Sequence, residues 1–223
     1  MQRIPEPEEL MDDAEQAYAY ARADFSEANS LFVALLEEAA GGTLDGRLLD
    51  LGCGPADIPL DLLHRHPRLA VDALDGAPAM LALAREHLAT AGERFLHRMQ
   101  LLCEHLPCEA LRSGHYQFVA SNSLLHHLAD PAVMWQTVAR CAAPGAQVLV
   151  MDLARPASEI AVDALVETYA MDAPEVLRRD FRNSLFAAYT PDEVEGQLMA
   201  AGLGGLQVDR VSDRHLAISG VLD

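Results

Sequence analysis

The chain has 223 residues, 51% of them apolar, and a mean hydropathy of +0.06, which suits one well-cored α/β domain with a small cap. No stretch reaches the roughly 20 continuous apolar residues of a membrane span. The acidic opening MQRIPEPEELMDDAEQ lacks the apolar core of a secretory signal, so the expected compartment is the cytoplasm. The formal net charge is −18, and all sixteen basic residues are arginine; a field of that sign repels phosphate backbones and disfavours nucleic acid as a partner. Acidity of this kind also keeps a protein soluble and names no substrate. Four cysteines (Cys53, Cys103, Cys108 and Cys141) form no CxxC pair, which predicts free thiols and no metal centre.

In chain order, residues 1–40 carry an amphipathic helical pattern whose buried face would include Tyr18, Tyr20, Phe25, Leu31, Phe32, Leu35 and Leu36. This head ends at Gly41-Gly42, and a second unit, 41–223, follows. Strand-like runs are predicted at 47–51, 70–74, 99–103, 117–121 and 147–153. Helical patterns fill the gaps at 57–66, 77–91, a short piece near 107–112, and 130–142. Strands alternating with helices predict a doubly wound, mostly parallel sheet with both faces covered. A helical insertion follows at about 155–189. Thr190-Pro191-Asp192-Glu193 reads as a capping box opening a helix over 191–202. Two closing strands near 206–212 and 214–219 are too close together for anything but an antiparallel hairpin, giving seven strands in all.

The most informative stretch is LLDLGCGPAD at 48–57. An apolar strand runs into Gly52-Cys53-Gly54 and then a helix, so the backbone can turn tightly and approach a ligand beside the helix N-terminus. Asp75, 23 residues after Gly52, ends the second strand, where an acid can accept from both hydroxyls of an adenosine ribose. The dinucleotide pattern G-x-G-x-x-G is not met, because position 57 is Asp. An acid there would receive a pyrophosphate poorly and a cationic ligand carrying a free amino acid better.

These motifs resemble those of class I S-adenosylmethionine-dependent methyltransferases of the small-molecule type, over about residues 45–220. The first-strand motif D-x-G-x-G-x-G is matched by Asp50, Gly52 and Gly54, with Ala56 in place of the last glycine. LDGAPAML at 74–81 is similar to the second-strand motif, and CEHLP at 103–107 to the third. SNSLLHHLADP at 121–131 resembles the family's stretch after the fourth strand. The resemblance implies a Rossmann-like fold and S-adenosylmethionine as cofactor. It implies cofactor contacts from Asp50, Gly52, Gly54, Asp75, Gly76, Met80, Glu104, His105 and Asn122, and leaves the acceptor open.

Methyl transfer from a sulfonium is an in-line displacement, for which the protein mainly holds the acceptor and excludes water. A base is needed only where the acceptor must lose a proton. His126 and His127, just past the fourth strand, are the candidate catalytic residues, because imidazole titrates near neutrality. Tyr18, Tyr20, Arg155, Tyr189, Arg214 and His215 are candidate acceptor contacts. Asp24 and Phe25 of the head, with Arg179, Phe181, Arg182 and Asn183 of the insertion, would complete a cap. The expected function is methylation of a small molecule at O, N or S. The alternative is a non-catalytic module that binds S-adenosylmethionine or S-adenosylhomocysteine, which the paired histidines and the cap segments argue against.

Overall fold

The structure, a computed structural model, describes residues 1–6, 10 and 12–223. Helices α1 (Ala14–Ala21) and α2 (Ser26–Ala39) precede the alternation β1 (Gly46–Leu51), α3 (Asp57–Arg65), β2 (Leu69–Asp75), α4 (Pro78–Ala91), α5 (Glu93–Leu96), β3 (Met99–Cys103), β4 (Tyr116–Asn122), α6 (Ala132–Cys141) and β5 (Ala142–Leu153). The insertion is the helix pair α7 (Glu159–Ala170) and α8 (Glu175–Ala187). Then come α9 (Pro191–Ala200), β6 (Gln207–Arg210) and β7 (His215–Leu222). The seven strands lie in the order β3-β2-β1-β4-β5-β7-β6. All pairs from β3 to β5 are parallel, and β7 runs antiparallel between β5 and β6.

The strand periodicity is visible in the packing. On one face Leu48, Phe118, Ala120, Leu149 and Met151 pack with Phe32, Leu36, Leu62 and Leu81 of α2, α3 and α4. On the other, Leu49, Leu51, Val119, Val148 and Val150 pack with Trp135 and Val138 of α6 and Val194 of α9. Side chains alternate across a strand, so a double-sided core demands near-continuous apolar runs, and these strands have them. Leu153 of β5 joins Val162, Val166 and Leu185 of α7 and α8 in a separate small cluster.

Two local readings change. No helix forms near 107–112, where the chain makes turns with Leu111 and Cys108 buried, and the unpredicted helix α5 precedes β3 instead. The apolar residues there serve packing and have no helical run to belong to. The capping box does form: Thr190 accepts from the Glu193 N–H, and the Glu193 carboxylate accepts from the Thr190 N–H.

The head divides in its packing. Phe32, Val33 and Leu36 of α2 belong to the main core, whereas Ala17 of α1 packs on Ala77 and Met80 at the start of α4. Phe32→Ala should therefore cost about 3–5 kcal/mol of unfolding free energy, the range for emptying a full aromatic site. Denaturant unfolding measures it, and a loss below about 1 kcal/mol would mean that α2 is peripheral.

Candidate active site

β1 and β4 are neighbours, yet the chain continues from β1 toward β2 and from β4 toward β5. The cleft at such a switch point, at the carboxyl ends of the strands, is the ligand site of open α/β sheets. Here it is a cavity of about 1140 Å³, at or above the upper end of ordinary small-ligand pockets.

The loop after β1 forms one wall. The Gly52 and Cys53 N–H groups donate to the Leu74 carbonyl at 2.8 and 3.0 Å, fastening the loop to β2. Gly52 has φ +77°, and a Cβ there would lie 2.9 Å from Leu124 Cβ, so only glycine fits. Gly54, at φ +52°, has nothing within 4 Å of the corresponding position; it lines the cavity, which its bare backbone lets a ligand approach. Asp75 ties the two loops together, with Oδ2 accepting from Gly54 N–H and Oδ1 from Ala77 N–H, both at 2.8 Å. Each oxygen keeps a further lone pair for a ligand. Burial raises the Asp75 pKa, against the opposing pull of those two bonds.

Gly76, Met80, Glu104, His105 and Asn122 also line the cavity. The Asn122 Oδ1 atom is buried and has no hydrogen-bond partner among the described residues. An acceptor left so is costly unless a ligand donor meets it. Asp50 is not in the lining. It lies in β1, 4% exposed, and burial, with Asp75 adding, pushes its carboxyl up to about 7.

The same cavity is lined by the two histidines. After β4 the chain makes a 3-10 turn, Leu125–His127, which brings the two rings within 4.1 Å, centroid to centroid. His126 is buried; its Nδ1 faces Asp152 Oδ1 of β5 at 2.5 Å, and its backbone N–H donates to Asp152 Oδ2 at 3.2 Å. Burial alone would lower the His126 pKa, but the charge and hydrogen bond of Asp152 outweigh it and hold the imidazole above its ordinary value. The Asp152 carboxyl is held correspondingly low, burial being overcome by His126. His127 Nδ1 bonds Glu6 Oε2, whose other oxygen accepts from Ser184 Oγ at 2.6 Å. Arg3 donates to the carbonyls of Ala187 and His126 at 2.6 and 3.0 Å and stacks on Tyr189.

Of the expected acceptor contacts, Tyr18, Tyr20, Arg214 and His215 line the cavity, as do Asp24, Phe25 and Phe181. Arg155 and Tyr189 do not. The Arg155 guanidinium is buried against Glu193 at 2.6 Å and the Ala188 carbonyl at 3.0 Å, fixing the start of α9. Tyr189 lies under Arg3. Arg179 pairs with Asp180 and Arg182 with Glu159 and Asp163; neither, nor Asn183, reaches the lining. The sequence reading passed over Asp152 and Glu6. A single acid in the apolar run VLVMDL could have marked Asp152, since a charge inside a buried strand end needs a partner; Glu6 sits in PEPEE among identical residues and carries no such mark.

The family described as "Methyltransferase domain" matches residues 49–148. That span begins at the end of β1 and includes the Gly52 loop, Asp75 and the histidine turn. Over those residues the chain carries a methyltransferase domain.

Among the relatives of this chain is the ubiquinone biosynthesis O-methyltransferase of Cronobacter sakazakii, 30% identical over 129 residues, or 58% of this chain and 51% of the relative. The chain thus spans about half the length of the curated relatives it matches. A S-adenosylmethionine-dependent methyltransferase from Aquifex aeolicus superposes with a TM-score of 0.67 at 18% identity, covering 95% of this chain and 99% of that one. A Haemonchus contortus phosphoethanolamine N-methyltransferase 2, solved with S-adenosyl-L-methionine, gives 0.67 at 16% identity over 89% and 44%. At such identities these two likenesses concern the fold. No helix among the described residues is long and apolar enough to cross a membrane.

The buried Asp50 makes a prediction for the stability of this chain. Its folded pKa of about 7 lies above the ordinary 3.8, so between those values the unfolded chain has lost the proton while the folded chain keeps it. Stability from this group is thus unaffected below pH 4 and falls as pH rises to 7, by roughly 4 kcal/mol at 1.36 kcal/mol per unit. Asp50→Asn should flatten that slope and raise stability at pH 8. Urea unfolding at pH 5 and pH 8 measures it, and an unchanged slope would exclude Asp50 as its source.

Proposed function

We propose that this chain transfers the methyl group of S-adenosylmethionine to the hydroxyl of a small organic acceptor, in the cytoplasm. One observation carries the reading: a single cavity is lined both by a wall of the glycine loop and Asp75 and by a wall of the His126–His127 turn. The first wall is suited to the cofactor. Asp75 offers acceptors to ribose hydroxyls, the bare backbone at Gly54 allows close approach, Met80 supplies apolar surface for adenine, and the unmet Asn122 oxygen suits an ammonium donor. The cofactor supplies the electrophilic methyl on a sulfonium.

The second wall suits the acceptor. Asp152 holds His126 by Nδ1, which leaves Nε2 to take the proton of a hydroxyl as its oxygen attacks. An oxygen acceptor is favoured because a base with a raised pKa has work to do there. The names of the O-methyltransferase relatives support the same choice. In this reading α1, with Tyr18, Tyr20 and Phe25, and α8, with Phe181, form the cap that excludes water and selects the acceptor. The net charge of −18 supports a small molecule over a nucleic acid.

Calorimetric titration with S-adenosylmethionine and NAD, followed by a screen of hydroxylated metabolites for S-adenosylhomocysteine release, tests the proposal. Tight binding of the first cofactor alone, with turnover on some hydroxyl compound, is expected; binding of NAD in its place would overturn it. Asp75→Ala should weaken S-adenosylmethionine by roughly ten- to a hundredfold, since a charge-assisted hydrogen bond contributes about 1.5–3 kcal/mol. An unchanged dissociation constant would remove Asp75 from the site.

The pH profile tests the base. His126 must be neutral to accept a proton, so kcat/KM should rise with pH through a midpoint above the ordinary histidine value of ~6.5. Asp152→Asn removes the charge that holds the imidazole up, so the midpoint should move down. A profile unmoved by this substitution would mean that His126 is not the titrating group.

A further inference from the structure

The histidine turn holds more ligating capacity than proton transfer uses. Glu6, His126 and His127 each present a ligand atom, and the three atoms lie within 4.8 Å of one another. His126 is tied at Nδ1 by the Asp152 carboxylate, and among the described residues no partner takes its Nε2. A carboxylate on one ring nitrogen, with the other left bare, is the arrangement by which proteins orient a metal-binding histidine. Asp152 itself is fixed, accepting from the N–H groups of His126 and Leu153. Glu6 is likewise held, by Ser184 Oγ.

We propose that Glu6, His126 and His127 bind one divalent transition-metal ion at the acceptor wall of the cavity. The donor set decides the class. Two imidazoles and one carboxylate suit zinc and its neighbours, whereas magnesium and calcium take all-oxygen sites. Three protein ligands leave a fourth position, as in zinc sites that bind water or a substrate oxygen. Ligands about 2.0–2.2 Å from a tetrahedral ion stand roughly 3.4 Å apart, so the group needs to contract, and Glu6 lies on a segment outside any helix or strand. The ion would take the place of the proton between His127 and Glu6. Glu6 would then meet a dication directly and Asp152 would meet it through the neutral imidazole of His126, which offsets the cost of burying both charges. His126 and His127 line the cavity directly, so the open coordination position would face an acceptor oxygen.

The test uses the full chain, stripped with a chelator, and Zn²⁺ alone as the probe. Calorimetry should find one strong site per chain. Co²⁺ in its place should give visible absorption bands of a four- or five-coordinate ion without thiolate charge transfer. His127→Gln and Glu6→Gln should each weaken Zn²⁺ at least tenfold, and Asp152→Asn tenfold to a hundredfold. Cys103→Ser, at the exposed thiol, should change nothing. His127 lines the cavity and Glu6 bonds to it, both outside the hydrophobic clusters that make the main core, and a melting curve for each variant reports whether it folds. The absence of a stoichiometric site in the folded parent would overturn the proposal. So would affinity unmoved in both His127→Gln and Glu6→Gln, or affinity lost in Cys103→Ser. The readout involves no methyl donor, so methyl transfer can hold or fail without it; an ion on His126 Nε2 and a proton on that nitrogen exclude each other.

Discussion

The strand order reverses between β1 and β4, so the chain leaves β1 toward β2 and β4 toward β5, and the gap between those connections is the candidate site. Leu48 to Leu51 align with Phe118 to Ser121, so the two strands end at the same level. Their next residues, Gly52 and Asn122 with Ser123, therefore open on one space. The pairing also sets the closest approach, Gly52 against Leu124, where a single methyl would collide. The glycine loop and the histidine turn are built on these two strand ends and tied to the neighbouring strands by Asp75 and Asp152.

Those two acids occupy matching places and do different things. Asp75 ends β2 and accepts backbone N–H bonds that hold two loops in register. Asp152 lies near the end of β5 and accepts an imidazole. Burial works against both charges. Asp75 meets it chiefly with two backbone N–H dipoles, and its pKa still rises; Asp152 meets it with a directly bonded imidazole, and its pKa falls. Asp50, deeper in β1, has neither, which leaves a carboxyl that is half protonated near neutrality. A chain with 34 acids and 16 bases has acids to spare for such positions, and their environments separate their roles.

The central strands and their loops were legible in the sequence because local chemistry dictates them. Apolar runs of five to seven residues with glycine or an acid at the end can be read one at a time, and their alternation with helices implies a mostly parallel sheet. The capping box at Thr190 is equally local. What could not be read depends on where distant segments land. Arg155 and Tyr189 follow β5 and α8 and looked well placed, but the charge of Arg155 is satisfied by Glu193, thirty-eight residues on. Glu6 reaches His127 across 121 residues, a contact that no spacing or periodicity encodes. The division of the head between α2, in the core, and α1, over Met80, was hidden for the same reason, since both carry similar apolar patterns.

The position of α1 bears on how long a bound molecule stays. A helix of eight residues has no stability of its own in water. It is ordered by what it rests on: Ala17 against Ala77 and Met80, and Gln16 Nε2 donating to Asp180 Oδ2 at 2.7 Å. Its detachment is therefore a local unfolding event that leaves the sheet intact, and such openings are the least costly that a native protein makes. Residence time beneath α1 is then governed by a few contacts on one short helix. A change at Gln16 or Ala17 would retime release while leaving the groups that touch the bound molecule as they are.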